Sequence, residues 1–169
     1  MKYLLIIITI FTGCQDNAAF SGSNDENELP SINYTVTLDN TGYSHLVVFL
    51  NTIDGLEPGD KIGVFDLNGV LETVDAPNDV QYGEVLVAVA TWNEGANQEG
   101  TVTEASAILS EDLSSFNGPV LNGAIEGNPI IIKIYDISED LEYNTTPTFG
   151  VGGEFGDLFT TVTALLIEE

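Results

Sequence analysis

From Ile32 onward, apolar and polar residues alternate over short runs, the period of a half-buried β-strand. Ile32 to Leu38 (INYTVTL) shows it first, and Asp39-Asn40-Thr41-Gly42 supplies turn chemistry behind it. Leu46 to Ile53 (LVVFLNTI) predicts a second strand, closed by Asp54-Gly55. Glu57-Pro58-Gly59-Asp60 turns the chain into Lys61 to Phe65, and Asp66-Leu67-Asn68-Gly69 turns it again into Val70 to Val74. Gly83 to Trp92 (GEVLVAVATW) is apolar on both faces, which predicts a central strand. Thr103 to Phe116 reads as a strand followed by one helical turn capped at Ser110. Ile130 to Tyr135 and Leu158 to Ile167 complete the set. Short strands with turn signals at this spacing, and no long amphipathic helix, predict an all-β domain, an antiparallel immunoglobulin-like β-sandwich over residues 31–169.

Two of these runs echo each other. Lys61 to Asp66 and Ile130 to Asp136 are each an apolar strand with an aromatic followed by Asp. Alternation places Ile62, Val64 and Asp66 on one face of the first, with Gly63 and Phe65 on the other. In the second, Ile130, Ile132, Ile134 and Asp136 share a face, opposite Ile131, Lys133 and Tyr135. Both aspartates are expected to end their strands and close local turns, and Asp66→Ala is expected to cost about 1 kcal/mol.

The first residues do not fit a β pattern. Leu4 to Phe11 (LLIIITIF) is an uninterrupted apolar run behind Lys2, the length of a signal h-region and too short to span a bilayer. Phe11-Thr12-Gly13-Cys14 resembles the bacterial lipobox, although Phe11 stands where Leu or a small aliphatic is usual. The resemblance implies that residues 1–13 are a lipoprotein signal peptide and that Cys14 carries a diacylglycerol. An ordinary secretory signal with a chance cysteine is the alternative. Cys14 is the only Cys, so neither a disulfide nor a thiolate metal site accounts for it. Residues 14–30 are small, polar and acidic and read as a flexible tether. The expected location is the cell envelope, at the outer membrane or cell surface, held by the lipid.

Charge narrows the partners. The chain carries 27 Asp and Glu against three Lys and no Arg, a net charge of −24. Phosphate neutralisation needs Lys and Arg, so nucleic acid is excluded as a partner. Anionic lipid headgroups are equally unsuited, which leaves membrane attachment to the lipid itself. Salt or calcium is expected to stabilise the fold by screening self-repulsion.

Asn40-Thr41-Gly42-Tyr43-Ser44 and Leu56-Glu57-Pro58-Gly59-Asp60-Lys61-Ile62-Gly63-Val64-Phe65-Asp66, with Tyr135-Asp136 later, resemble a β-sandwich domain of secreted Bacteroidetes-type surface proteins. The resemblance covers most of residues 33–165 and implies an adhesive or accessory module. This chain departs from it in standing alone.

Catalytic chemistry has little to stand on. His45 lies within a strand pattern and reads as structural, and no Gly-x-Ser-x-Gly elbow accompanies it. Zinc lacks its His and Cys ligands, and Gly150-Val151-Gly152-Gly153 lacks the Lys of a phosphate loop. Paired carboxylates leave a glycoside hydrolase open as an alternative, since acids abound. No cofactor is required; calcium is the candidate ion, through Asp66 and Asn68 together with Asp136, Glu139 and Asp140, if the two strands bring them together. Asx-turns explain the same residues without an ion. For a glycan, the candidate ligand-binding residues are Tyr43, Trp92, Asn93 and Glu94, with burial of Trp92 as the competing expectation. The leading function is a non-catalytic adhesion or recognition module for a glycan or an envelope protein. A structural coat or assembly subunit is the third reading.

Overall fold

The computed structural model describes residues 34–74 and 79–168. The signal segment, Cys14, the tether and Ile32 lie outside them. The described chain is all-β: β1 Ser44–Leu50, β2 Lys61–Thr73, β3 Val80–Thr91, β4 Val102–Ile108, β5 Ile131–Asp136, β6 Leu141–Val151 and β7 Thr160–Ile167, with one turn of 3-10 helix at Ser114–Phe116.

The strands form one curled sheet in the order β3-β2-β5-β6-β7-β1-β4. Every pairing is antiparallel except β1 with β7, so the sheet is mixed rather than purely antiparallel. β6 serves two neighbours in turn. Its residues 141–144 pair with β5, and 145–151 with β7. The curl brings the edge strands β3 and β4 against each other. Inside it lies one continuous core, drawn from Val47 and Phe49 of β1, Ile62 and Val64 of β2, Val85 and Val87 of β3, Ala105 and Ala107 of β4, Ile132 and Ile134 of β5, and Val162 of β7.

Several expected elements take a different form. Residues 34–38 keep alternating burial but belong to no strand among the described residues, and the Tyr34 side chain is held by Glu142 and Tyr135. The runs 61–65 and 70–74 are one strand, and Asp66-Leu67-Asn68-Gly69 is an irregularity inside it, where the register with β3 jumps between Asp66 and Gly69. Such bulges use the same Asp, Asn and Gly that turns use. β3 is an edge strand, not a central one. Its two apolar faces are one face: Val64 pairs with Ala88 and Phe65 with Leu86, so Val87 is an extra residue. The phase of alternation flips there, and Val85, Val87, Ala88, Ala90 and Trp92 are all buried. The 3-10 turn has Leu113, not Ser110, at its N-cap, without a side-chain cap bond, and Asp112 just before it accepts the Ser114 N–H at 2.8 Å. β6, with Pro147 in its middle and polar residues along its exposed face, carries too weak an apolar signal to have been expected.

Faces follow alternation where the strands are regular. Ile62 and Val64 are fully buried, as are Ile132 and, to 1 %, Ile134. On the opposite face of β2, the rings of Tyr34 and Phe65 lie over Gly63. A Cβ there would fall 2.6 Å from each ring, so no larger residue fits without displacing them.

Candidate functional site

The cleft best placed for a ligand lies at one end of the curl, between the β1–β2 connection and the β5–β6 turn. It has a volume of about 260 Å³ and is lined by Gly55, Asp60, Ile134, Asp136, Tyr143 and Ile167. Alternation along β5 delivers Ile134 and Asp136 to the same face. Tyr143 stands across from Ile134 in the β5–β6 register, and so also faces inward. Ile167 contributes the end of β7.

Asp60 ties the two connections together. It is 2 % exposed, and its carboxylate accepts the Glu57 N–H at 2.7 Å and the Ile137 N–H at 3.4 Å. Asp136 closes its own turn, with Oδ1 accepting from the Ser138 N–H (2.7 Å), the Ser138 hydroxyl (2.8 Å) and the Glu139 N–H (3.0 Å). The Ser138 hydroxyl, aided by the two main-chain N–H groups, holds the Asp136 carboxyl below the usual range. Tyr143 donates its phenolic proton to Glu139, and Tyr135 donates to Asp140, which raises the Tyr135 phenol above its ordinary value. The lining side chains thus present hydrogen-bond acceptors around an apolar floor, an arrangement suited to a ligand that donates through hydroxyl or amino groups.

On the outer face of β5 and β2 lies a second polar cluster that sequence reasoning missed. Tyr34 stacks on Tyr135 with ring centroids 5.3 Å apart and meets Phe65 edge-on at 6.0 Å. Its hydroxyl donates to Glu142 at 2.8 Å, and burial together with Glu142 pushes its phenol far up. Lys133 sits 4.6 Å from the Phe65 ring centroid, between Glu84 at 2.7 Å and Glu142 at 3.3 Å. Burial works against its charge, but the two carboxylates outweigh it and raise the ammonium above its usual value. A lysine inside the apolar run IIIKIY was the visible signal, since such a charge needs partners.

The residues singled out from sequence are dispersed. Trp92 is 2 % exposed and belongs to the core, so the indole offers no platform, and its main chain bonds to the Asp60 carbonyl and the Gly59 N–H. Asn93 and Glu94 are exposed in the following turn. Tyr43 is 55 % exposed. It adjoins the Ser44–Ile108 pair, however, whereas the loop after Trp92 feeds into Val102 at the other end of β4. A seven-residue strand, roughly 20 Å, therefore separates the two parts of that set. The calcium set divides likewise. β2 and β5 do pair, but antiparallel, with Lys61 opposite Tyr135 and Phe65 opposite Ile131, so Asp66 and Asn68 stand at the opposite end from Asp136, Glu139 and Asp140. Asp66 is also filled by N–H donors from Asn68, Ile125 and Asn128. Among the described residues no group of three or more His, Cys, Asp or Glu is placed to hold a metal ion.

No protein-family model matches the chain, and neither a curated protein nor a solved structure is significantly similar to it.

Proposed function

We propose that this chain is a lipid-anchored recognition module of the bacterial cell envelope, in which Cys14 carries the lipid, residues 15–30 form the tether, and the β domain offers the Asp136–Tyr143 cleft to a glycan or an envelope protein. The observation that carries the binding role is the cleft itself, with Asp60, Asp136 and Tyr143 set around Ile134 and Ile167. Sugar hydroxyls donate to carboxylate and phenol oxygens while their C–H faces rest on apolar floors. The anchoring role rests on Phe11-Thr12-Gly13-Cys14 and on the lone cysteine. We read the curled sheet as an immunoglobulin-like sandwich. The change of partner along β6, from β5 to β7 between Asn144 and Thr145, supports a division into two layers.

Two measurements test this. Cys14→Ser should abolish membrane fractionation or block processing, and a variant still membrane-bound at its normal processed mass refutes the anchor. Wild type should be retained by envelope polysaccharides on a glycan array, and Tyr143→Ala should weaken retention roughly tenfold, the equivalent of one lost hydrogen bond. Equal retention of both proteins, or of neither, removes the cleft from the function.

A further inference from the structure

β1 turns its second residue, His45, into the interior, where it is 2 % exposed. Its Nε2 lies 3.0 Å from the Thr160 hydroxyl, and that same oxygen accepts the Gly153 N–H at 3.2 Å. Phe155, 1 % exposed, meets the imidazole edge-on with centroids 6.0 Å apart. The connection between β6 and β7 is thereby fastened to the core through one ring. It is also fastened by Phe155 itself, which belongs to the core, and by main-chain bonds to the segment before β5: Phe155 N–H to the Asn128 carbonyl, Gly127 N–H to the Phe155 carbonyl, and Ile130 N–H to the Gly153 carbonyl, all at 2.7–2.9 Å. Leu158, near the end of the same connection, is 92 % exposed.

The second ring nitrogen decides what this contact does. Nδ1 of His45 is buried and has no hydrogen-bond partner among the described residues. A neutral imidazole donating from Nε2 to Thr160 leaves only an unused lone pair on Nδ1. An imidazolium carries N–H on both nitrogens and must be held charged in a buried site, where the Asp157 main-chain carbonyl and carboxylate help it but do not offset the loss of water, which is far costlier than an idle lone pair. Asp157, in the same connection, is the charged group acting on the ring; Ala107 across β4, Thr160 on β7 and Phe155 bring none. Burial outweighs the attraction of Asp157, and His45 titrates below its ordinary range.

We propose that His45 is an acid-sensitive latch on the 152–159 connection, holding it closed when neutral and releasing it when protonated. An exposed imidazole titrates near 6.5, as it does once the connection has opened. The closed form takes up its proton only at lower pH. Closure is therefore at full strength above about pH 6.5 and weakens as pH falls through the interval down to the closed-state value. The attraction of Asp157 for the imidazolium opposes release, and burial of the charge outweighs it. The device goes beyond ligand recognition, since the cleft does not include any of these residues.

Amide hydrogen exchange on the full chain tests the latch, with protection factors corrected for the intrinsic pH dependence of exchange. Between pH 7.5 and 5, the Gly153 and Phe155 amides should lose at least tenfold protection, while reference amides in β5 keep theirs. His45→Gln keeps a polar contact with Thr160 but does not titrate, and should show pH-independent protection. Constant protection in wild type, an equal fall in β5, or the same fall in His45→Gln overturns the proposal. If His45→Gln fails to fold, the wild-type imidazole titration followed by NMR decides. Its midpoint must lie below 6.5 and coincide with the loss of Gly153 protection; a midpoint at or above 6.5, or a mismatch, overturns it.

Discussion

β2 and β5 carry the same local motif and use it in different ways. Each ends an apolar run with an aromatic residue and then Asp, and the two lie side by side in the sheet. Asp136 accepts only from residues two and three positions ahead of it. Asp66 also accepts from Asn68, but its further donors are the Ile125 N–H at 2.9 Å and the Asn128 amide at 3.0 and 2.9 Å, some sixty residues away. The cause is topological. β5 pairs with β2 only as far as Phe65, and beyond it the segment around Gly123 takes over as the neighbour of β2, through Val70. Asp66 stands at that changeover, 1 % exposed, and satisfies the backbone where one neighbour gives way to the next. The same pattern, an aromatic residue then Asp, thus makes a surface turn at one end of the strand pair and a buried junction at the other.

The largest expected effect lies at that junction. Asp66→Ala removes the acceptor of the Ile125 N–H and leaves the Asn128 amide only its 3.5 Å bond to the Asn68 carbonyl, at a part-buried junction. Each such buried donor costs about 1–3 kcal/mol, so urea unfolding should show a loss of about 3–4 kcal/mol. This replaces the 1 kcal/mol expected from the motif alone. Asn128→Ala should cost about 2 kcal/mol, and the double variant less than the sum, because both changes break one network. Additive losses, or an Asp66→Ala loss near 1 kcal/mol, would return Asp66 to the status of a local turn.

Alternation was enough to place Ile62, Val64, Ile132 and Ile134 in the interior and Phe65 on the opposite face, where it too is buried, because that stretch of β2 and β5 pairs without irregularity. It failed at Val87, where an inserted residue flips the phase and made an edge strand read as a central one. The Asp-x-Asn-Gly stretch from Asp66 was legible as an Asx-turn but not as a bulge, since the difference lies in what flanks it in space. The cleft was partly legible: Asp136 was a candidate, whereas Asp60 and Tyr143 join it only through the β1–β2 connection and through β6. The Tyr34–Glu142 bond joins residues 108 apart, and no local pattern announces it.

The outer faces of the two strands sharpen the contrast at a smaller scale. Gly63 and Lys133 are cross-strand partners, yet one strand has no side chain there and the other a long one. The Tyr34 and Phe65 rings occupy the space above Gly63. Gly63→Ala should therefore cost about 1–3 kcal/mol by overpacking, despite the better strand propensity of Ala. Near-ultraviolet circular dichroism should change with it, as the tyrosine environment is displaced. Tyr34→Ala in the same background should recover part of the loss by clearing the space. A Gly63→Ala protein as stable as wild type would mean that Tyr34 does not rest on the sheet in solution.

The smallest effect is expected at Asp136. Its donors are local and the turn is open to water, which replaces much of what a substitution removes. Asp136→Ala should cost less than about 1 kcal/mol, several times below Asp66→Ala. Its pH dependence identifies the source of that small term. The Ser138 hydroxyl and the neighbouring N–H groups lower the Asp136 pKa in the folded protein, whereas the unfolded chain titrates near 3.9. The folded state therefore gains from the ionised carboxylate above that value, and the gain is lost as pH falls through the lower, folded value. The difference in urea midpoint between wild type and Asp136→Ala should be present at pH 7 and shrink toward zero near pH 2. A difference that persists unchanged at pH 2 would assign the effect to backbone conformation instead of to the carboxylate. A loss at pH 7 as large as that of Asp66→Ala would mean that the two strand ends are equivalent after all, and that the Asp136 turn is as closed to water as the junction on β2.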